Sequence, residues 1–304
     1  MNRRDFLKTT FLSALAAGTV GKGNLCAVET TSDFPDLTAV HGGTPEAMWR
    51  AGIKAMGGIE RFVKKGAKVV LKPNIAWTRP PEYAANTNPG LVEVMVRDIL
   101  AAGASEVIVF DHSCDNGADC YRISGIAAAA ERAGAKVLHA YDRKNYRKIK
   151  SAGAVKLSEA EVFNAVLDCD TFINVPILKH HSGTKMSGAM KNLMGMVWDR
   201  RIMHRRGLVQ TIPDLLTYRK PDLNVVDAYR MMMTHGPRGV NLKDVELGKF
   251  MLISTDAVAA DAAAVKLMQF NESDVSYLQS AADRKLGVKD LSKLKINRIE
   301  MNTL

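Results

Sequence analysis

Short apolar runs recur along this chain with helix-like stretches between them, and that alternation limits the fold more than any other feature. Ala67 to Leu71, Glu106 to Phe110, Lys136 to His139, Thr171 to Val175 and Phe250 to Ile253 read as strands, and Leu223 to Val226 as a further strand-like run. Pro89-Gly90 opens the apolar-periodic stretch Leu91 to Ala102, which Gly103 closes, and Tyr121 to Arg132 ending at Gly134 repeats the arrangement. The pattern predicts an α/β fold of doubly wound type, a mostly parallel sheet flanked by helices, over residues 67–304. An extension with a first helix over 28–66 precedes it.

In such sheets a ligand binds beyond the carboxyl ends of the strands. Those positions hold Lys72-Pro73-Asn74, Asp111-His112-Ser113 and Pro176 to His181, all following apolar runs. The run ending at Val226 leads to Asp227, a candidate to orient a lysine or bind a metal, and Ile253 leads through Ser254-Thr255 to Asp256. Asp256 is as well placed to cap a helix as to serve a site.

The densest constellation runs from Lys179-His180-His181-Ser182-Gly183-Thr184 to Gly195. Met186, Met190, Leu193, Met194 and Val197 lie at helical spacing and form an apolar stripe that reads as core. The opposite side carries Ser187, Gly188, Lys191 and Asn192, small residues that let a ligand approach the backbone. Ser182 to Thr184 would offer free amides at a helix start, where anions bind. Lys179, Lys185 and Lys191 complete a cradle for a carboxylate or phosphate, with Lys191, His181, His204 and Asp227 as candidate catalytic groups and Lys72, Asn74 and Lys179 as binding groups. Trp198 to Gly207 adds four arginines and His204 as a wall around an acidic ligand. The basic stretch Arg143 to Lys150 reads instead as a solvated helix or loop.

Asp111, His112 and Cys114, with Asp119 and Cys120 nearby, offer oxygen, nitrogen and sulfur donors for a metal ion, although loop acids beside a disulfide would give the same letters. No Gly-x-Gly-x-x-Gly fingerprint speaks for NAD or FAD, and neither a Gly-x-Ser-x-Gly elbow nor a His-Glu-x-x-His helix speaks for a conventional hydrolase.

The amino terminus reads Arg3-Arg4-Asp5-Phe6-Leu7-Lys8, then an apolar stretch from Phe11 to Val20 and small residues up to Cys26-Ala27. That order is a twin-arginine export signal over residues 1–27, which makes the export machinery a partner and the periplasm the expected location. The stretch is shorter than a bilayer-spanning helix needs, so no stable membrane span is expected after cleavage. Gly23-Asn24-Leu25 before Cys26 is a poor lipoprotein box. Cleavage removes four basic residues against one acid and lowers the net charge from +10 to +7. An exported protein is a remote partner for nucleic acid, so the excess points to a small anionic ligand. Export of folded protein also favours a metal ion or organometallic cofactor loaded beforehand. An oxidising destination lets Cys114 and Cys120 pair with each other or bind a metal, which leaves Cys169 single.

Several of these blocks together resemble the family known as domain of unknown function 362. They are Lys72-Pro73-Asn74, Lys179-His180, Ser187 to Gly195, Asp222 to Asp227, Gly236-Pro237-Arg238-Gly239, and Ser254-Thr255-Asp256 with Asp261, within about Lys68 to Met268. Members are often exported by the twin-arginine route and sometimes fused to ferredoxin modules, but the ferredoxin cysteine spacing is absent here, so no iron-sulfur cluster is implied. Ser187 to Gly195 is also similar to a segment of nickel-pincer lactate racemases, with Ala189 and the missing proline before Gly195 as departures. That resemblance implies Lys191 as a cofactor tether and His180, His181 or His204 as nickel ligand or proton shuttle.

The function expected from these readings is an exported cofactor- or metal-dependent enzyme for a small carboxylate or phosphate; the alternative is a non-catalytic anion-binding or redox-accessory protein. Replacing Arg3 and Arg4 together by Lys should strand the precursor in the cytoplasm, as read by cell fractionation. Normal export of that variant would refute the signal.

Overall fold

The computed structural model describes residues 33–301; the segment read as an export signal, Cys26 included, lies outside them. The strands are β1 (Leu37–His41), β2 (Lys68–Pro73), β3 (Glu106–Asp111), β4 (Lys136–His139), β5 (Tyr146–Lys150), β6 (Glu159–Phe163), β7 (Thr171–Val175), β8 (Ile177–His181), β9 (Lys185–Ser187), β10 (Leu223–Met232), β11 (Val245–Ser254) and β12 (Ile296–Glu300). The α-helices are α1 (Pro45–Ala55), α2 (Pro89–Ala101), α3 (Gly117–Ile123), α4 (Ile126–Arg132), α5 (Asn164–Asp168), α6 (Ala189–Asn192), α7 (Arg200–Arg206), α8 (Leu208–Asp214), α9 (Ala257–Met268) and α10 (Ser276–Asp283). Ten strands form one sheet in the order β12-β1-β11-β10-β7-β2-β3-β4, with β8 joined to β10 and β9 to β8; β5 and β6 pair separately.

From β10 through β7, β2 and β3 to β4 the pairing is parallel, whereas β11 runs antiparallel to both β1 and β10. The sheet is therefore mostly parallel, as the sequence predicts. Successive side chains in a strand face opposite sides. Val69 and Leu71 of β2 accordingly enter a core under α1 and α2, while Val70 enters the other core together with α9. Both faces are covered, which explains why these strands read as apolar runs without alternation.

Several expectations change in extent. Residues 37–41 supply β1, hydrogen-bonded between β11 and β12, so the sheet begins within the segment read as an extension. The helix expected over 121–132 is two helices parted at Ser124-Gly125, where Gly125 takes φ 72°, a left-handed conformation that suits glycine. The basic stretch 143–150 is neither helix nor free loop, because Tyr146–Lys150 pairs with Glu159–Phe163 as an antiparallel ribbon. Met186 to Val197 is not one helix but β9, the single turn of α6 and a 3₁₀ turn, although all five apolar side chains are buried as expected.

The ribbon is tied to the body of the protein by Asp214, at the end of α8. Its fully buried carboxylate accepts the amides of Val155, Lys156 and Leu157 at 2.7–2.8 Å and pairs with Arg284 at 2.7 Å. Removing it leaves a buried cation and three amides without their acceptor. Asp214→Ala should cost ~3–5 kcal/mol, seen as a lower urea midpoint; an unchanged midpoint would show that the ribbon is anchored otherwise.

Candidate functional site

At the carboxyl ends of β2 and β3, Lys72 Nζ lies 2.7 Å from Asp111 Oδ1, and both side chains are essentially inaccessible to water. Asp111 Oδ2 accepts the Ile75 amide at 2.7 Å and Oδ1 accepts the His112 amide at 2.9 Å. Lys72 also donates to the Pro73 carbonyl at 3.2 Å. Burial pulls the Lys72 ammonium below its ordinary range, and Asp111 opposes that fall. The pair is close-packed by Gly195, where a Cβ would fall 1.9 Å from Asp111 Oδ1 and 2.8 Å from Lys72 Nζ.

Beside the pair runs a chain of side-chain amides. Lys179 Nζ donates to Asn74 Oδ1 at 3.2 Å, Asn74 Nδ2 to Asn192 Oδ1 at 3.1 Å, Asn192 Nδ2 to Asn174 Oδ1 at 2.9 Å, and Asn174 Nδ2 to Asn224 Oδ1 at 2.9 Å. Lys179 also donates to the Ala85 carbonyl. This network fixes α6 against the strand ends, and α6 carries Lys191. The start of α6 is held by Asp261 of α9, which accepts the amides of Ala189 at 2.5 Å and Met190 at 3.1 Å and which burial pushes up to about 7. Gly188 makes that approach possible, since a Cβ there would lie 2.1 Å from Asp261 Oδ1.

Above these groups opens a cavity of about 720 Å³, lined on its sheet side by Asn74, Asp111, His112, Cys114, Lys179, His181, Ser187, Gly188, Lys191 and Asn192. Trp198, Asp199, Arg200, Arg201 and His204 form a second wall, and Arg143 and Glu161 of the ribbon a third. Arg200 is fixed by the carbonyls of His112 at 2.7 Å and Ser113 at 2.5 Å and by Cys114 Sγ at 3.3 Å. His112 stacks on Trp198, with ring centres 5.2 Å apart.

The charges of this lining do not cancel. Asp111 is matched by Lys72, Glu161 by Arg143 at 2.8 Å, and Asp199 by Arg205 at 3.7 Å. Among the described residues no carboxylate pairs with Lys179, Lys191 or Arg200. The nearest hydrogen-bonding group to Lys191 Nζ is the Met194 thioether at 3.3 Å, a weak acceptor. Burial brings Lys179 down to about 7 and Lys191, further disfavoured by Arg200, to about 8. Burial, followed by the fields of Lys191 and Lys179, takes His181 to about 3, so it is neutral at physiological pH. His204 is lowered by burial and then by the fields of Lys191 and Arg200.

Twelve of the residues singled out from the sequence therefore meet in one place: Asn74, Asp111, His112, Cys114, Lys179, His181, Ser187, Gly188, Lys191, Asn192 and His204 on the wall, with Lys72 directly beneath. Asp227 does not join them. β10 continues past it, because β8 takes over as parallel partner where β7 ends, and the carboxylate accepts the amides of Asn88 at 2.8 Å and Tyr229 at 3.1 Å instead. Ser182 and Gly183 are likewise outside the wall. They form a turn between β8 and β9 rather than a helix start, and their amides are spent on the Gly236 carbonyl and on His181 Nδ1. Asp256 is the cap of α9, bonded to the Val258 and Ala259 amides.

The metal reading of Asp111, His112 and Cys114 is not supported by their surroundings. Both Asp111 oxygens and His112 Nδ1 have protein partners, and no cluster of three or more such donors that could hold a metal occurs among the described residues. Cys114 and Cys120 are free thiols, the first exposed beside Arg200 and the second buried with Thr78 Oγ1 at 3.6 Å, and Cys169 is also free. Arg143, Glu161, Asn174 and Asn224 are contributions that the sequence reading missed.

The matches of this chain to known proteins extend over most of its length. The chain belongs to the family described as a domain of unknown function (DUF362), whose model matches residues 69–266. A thylakoid-associated protein of Synechocystis is 25% identical over 261 residues, covering 80% of this chain and 75% of that protein. The apoprotein structure of lactate racemase from Thermoanaerobacterium thermosaccharolyticum aligns with a TM-score of 0.42 at 12% identity, over 62% of this chain and half of that one. No helix among the described residues is long and apolar enough to cross a membrane.

Gly195→Ala would drive a methyl group into the Lys72–Asp111 pair. The overpacking should destabilise the protein by ~1–3 kcal/mol in thermal or urea unfolding. A variant as stable as its parent would mean that the pair has room to shift.

Proposed function

We propose that this protein is an enzyme that takes a small organic anion, a carboxylate or phosphate, into the cavity and carries out acid–base chemistry on it with Lys191 and Lys179. The observation behind this reading is the uncompensated charge of Lys179, Lys191 and Arg200 on one cavity wall, in a lining where every carboxylate already has a cation. An anionic ligand supplies the missing counter-charge, and charge-assisted hydrogen bonds at a site shielded from water are the strong ones. Amines brought to about 7 and about 8 change protonation state near neutral pH, which suits groups that must give and take protons. The volume accommodates a small metabolite or a compact organic cofactor.

Work after export as a folded protein belongs to the same proposal and rests on Arg3, Arg4 and the apolar stretch that follows them. Because the donors around Asp111 are engaged by protein groups, no step is routed through a metal ion.

Isothermal calorimetry with propionate, pyruvate and inorganic phosphate tests the reading. Lys191→Met keeps the apolar stem but removes the charge, and it should weaken binding ~10–100-fold below pH 7, the loss expected for one charge-assisted bond, with folding kept. The pH dependence has a definite sign. Both lysines have lowered pKa values, so affinity should be full below about 7 and decline as pH rises through about 8. Absence of binding by any of the three anions, or binding indifferent to Lys191, would refute the anion site.

A further inference from the structure

We infer that Lys191 is a nucleophilic amine that forms an imine with the carbonyl carbon of a small 2-oxo acid or aldehyde acid bound in the cavity. The inference rests on the anion site proposed above and adds the substrate's second functional group.

Three features of the structure carry it. Lys191 is 9% exposed and lines the cavity, yet among the described residues its hydrogen-bonding neighbour is the Met194 thioether alone, at 3.3 Å. A buried ammonium is ordinarily paired with a carboxylate, because an unpaired one carries a large desolvation cost. Burial shifts the unpaired amine toward its neutral form, which has a free electron pair, so a nucleophilic fraction is present near neutral pH. The second feature is rigidity. Lys191 sits in α6, whose start is clamped by Asp261 and whose Asn192 is held by Asn74 and Asn174. The third is the division of labour among the cations. Arg200 is held in place by backbone carbonyls and remains without a carboxylate, so it is free to orient a carboxylate. Lys179, aimed by Asn74 and Ala85, populates both protonation states at neutral pH.

The step balances without an oxidant or reductant. The Lys191 nitrogen bonds to the carbonyl carbon, and the carbonyl oxygen takes a proton from Lys179 to give a carbinolamine. Loss of that oxygen as water, with its second proton drawn from the Lys191 nitrogen, leaves a protonated C=N bond, and the proton remaining on that nitrogen returns to Lys179 to give the imine. Imine formation withdraws electrons from the adjacent carbon and makes its bonds easier to break. A 2-oxo acid fits better than a plain carboxylate because it meets both the guanidinium and the amine.

The test is reductive trapping on the full chain. Pyruvate or glyoxylate is added with sodium cyanoborohydride, and the product is read by intact mass and peptide mapping. One carboxyethyl or carboxymethyl group should appear on Lys191, faster as pH rises toward about 8, and slower when propionate competes. Lys191→Arg keeps a permanent charge but cannot form an imine, so it should lose the adduct while still binding propionate measurably below pH 7. Labelling spread over surface lysines with Lys191 untouched would overturn the imine. If propionate still binds in that case, the anion site survives; if no anion binds, the anion reading falls with it.

Discussion

The contact between Lys72 and Asp111 is the one on which the cavity floor depends. Two ions taken out of water cost several kcal/mol each, and the cost is recovered only when geometry and further hydrogen bonds are good. Here the 2.7 Å contact is supported by two backbone amides on the carboxylate and a carbonyl on the ammonium. Those amides belong to Ile75 and His112, in the loops leaving β2 and β3. Loop conformation, strand pairing and the placement of Gly195 are therefore fixed by one buried charge pair. Removing either partner leaves the other as a buried ion without its counter-charge, held by those backbone groups.

The next layer is built on the opposite principle. Lys179 and Lys191 are buried almost as deeply as Lys72 but lack a carboxylate, and burial lowers both. Three lysines with the same unperturbed chemistry thus acquire two roles from their surroundings. One is a structural cation, and two are amines balanced between charged and neutral forms. The amide chain from Lys179 through Asn74, Asn192 and Asn174 to Asn224 keeps that balance local, because it offers dipoles instead of a full negative charge.

Much of this was legible in the sequence. β3, β4 and β7 were read almost to their ends, since strands covered on both faces are continuous apolar runs. Placing the ligand at the carboxyl ends of those strands led directly to Lys72, Asn74, Asp111 and Lys179. What was missed has physical causes. β10 was cut short at Asp227 because a charged side chain ends an apolar run, although the ladder continues through β8. β5 is exposed at Arg147, Lys148 and Lys150 and reads as a basic stretch, so Arg143 and Glu161 had no visible link to a site. Asn174 and Asn224 interrupt the apolar runs at 172–175 and 223–226. Asparagine is a poor strand former and expensive to bury alone, and that anomaly was the available signal. The mistaken helix over 186–197 came from apolar spacing that a strand, a single turn and a 3₁₀ turn reproduce equally well.

The ribbon of β5 and β6 closes the cavity from a part of the chain that contributes nothing to the parallel sheet. Its connecting turn is held by Asp214 through residues 155–157, and it meets the opening through the Arg143–Glu161 pair. One end of a bound molecule would thus face the strand termini and their buried ions. The other would face a hairpin whose outer residues can be exchanged without disturbing a single sheet hydrogen bond. The ions that hold the cavity floor and the side chains that border its mouth therefore sit on separate pieces of the chain.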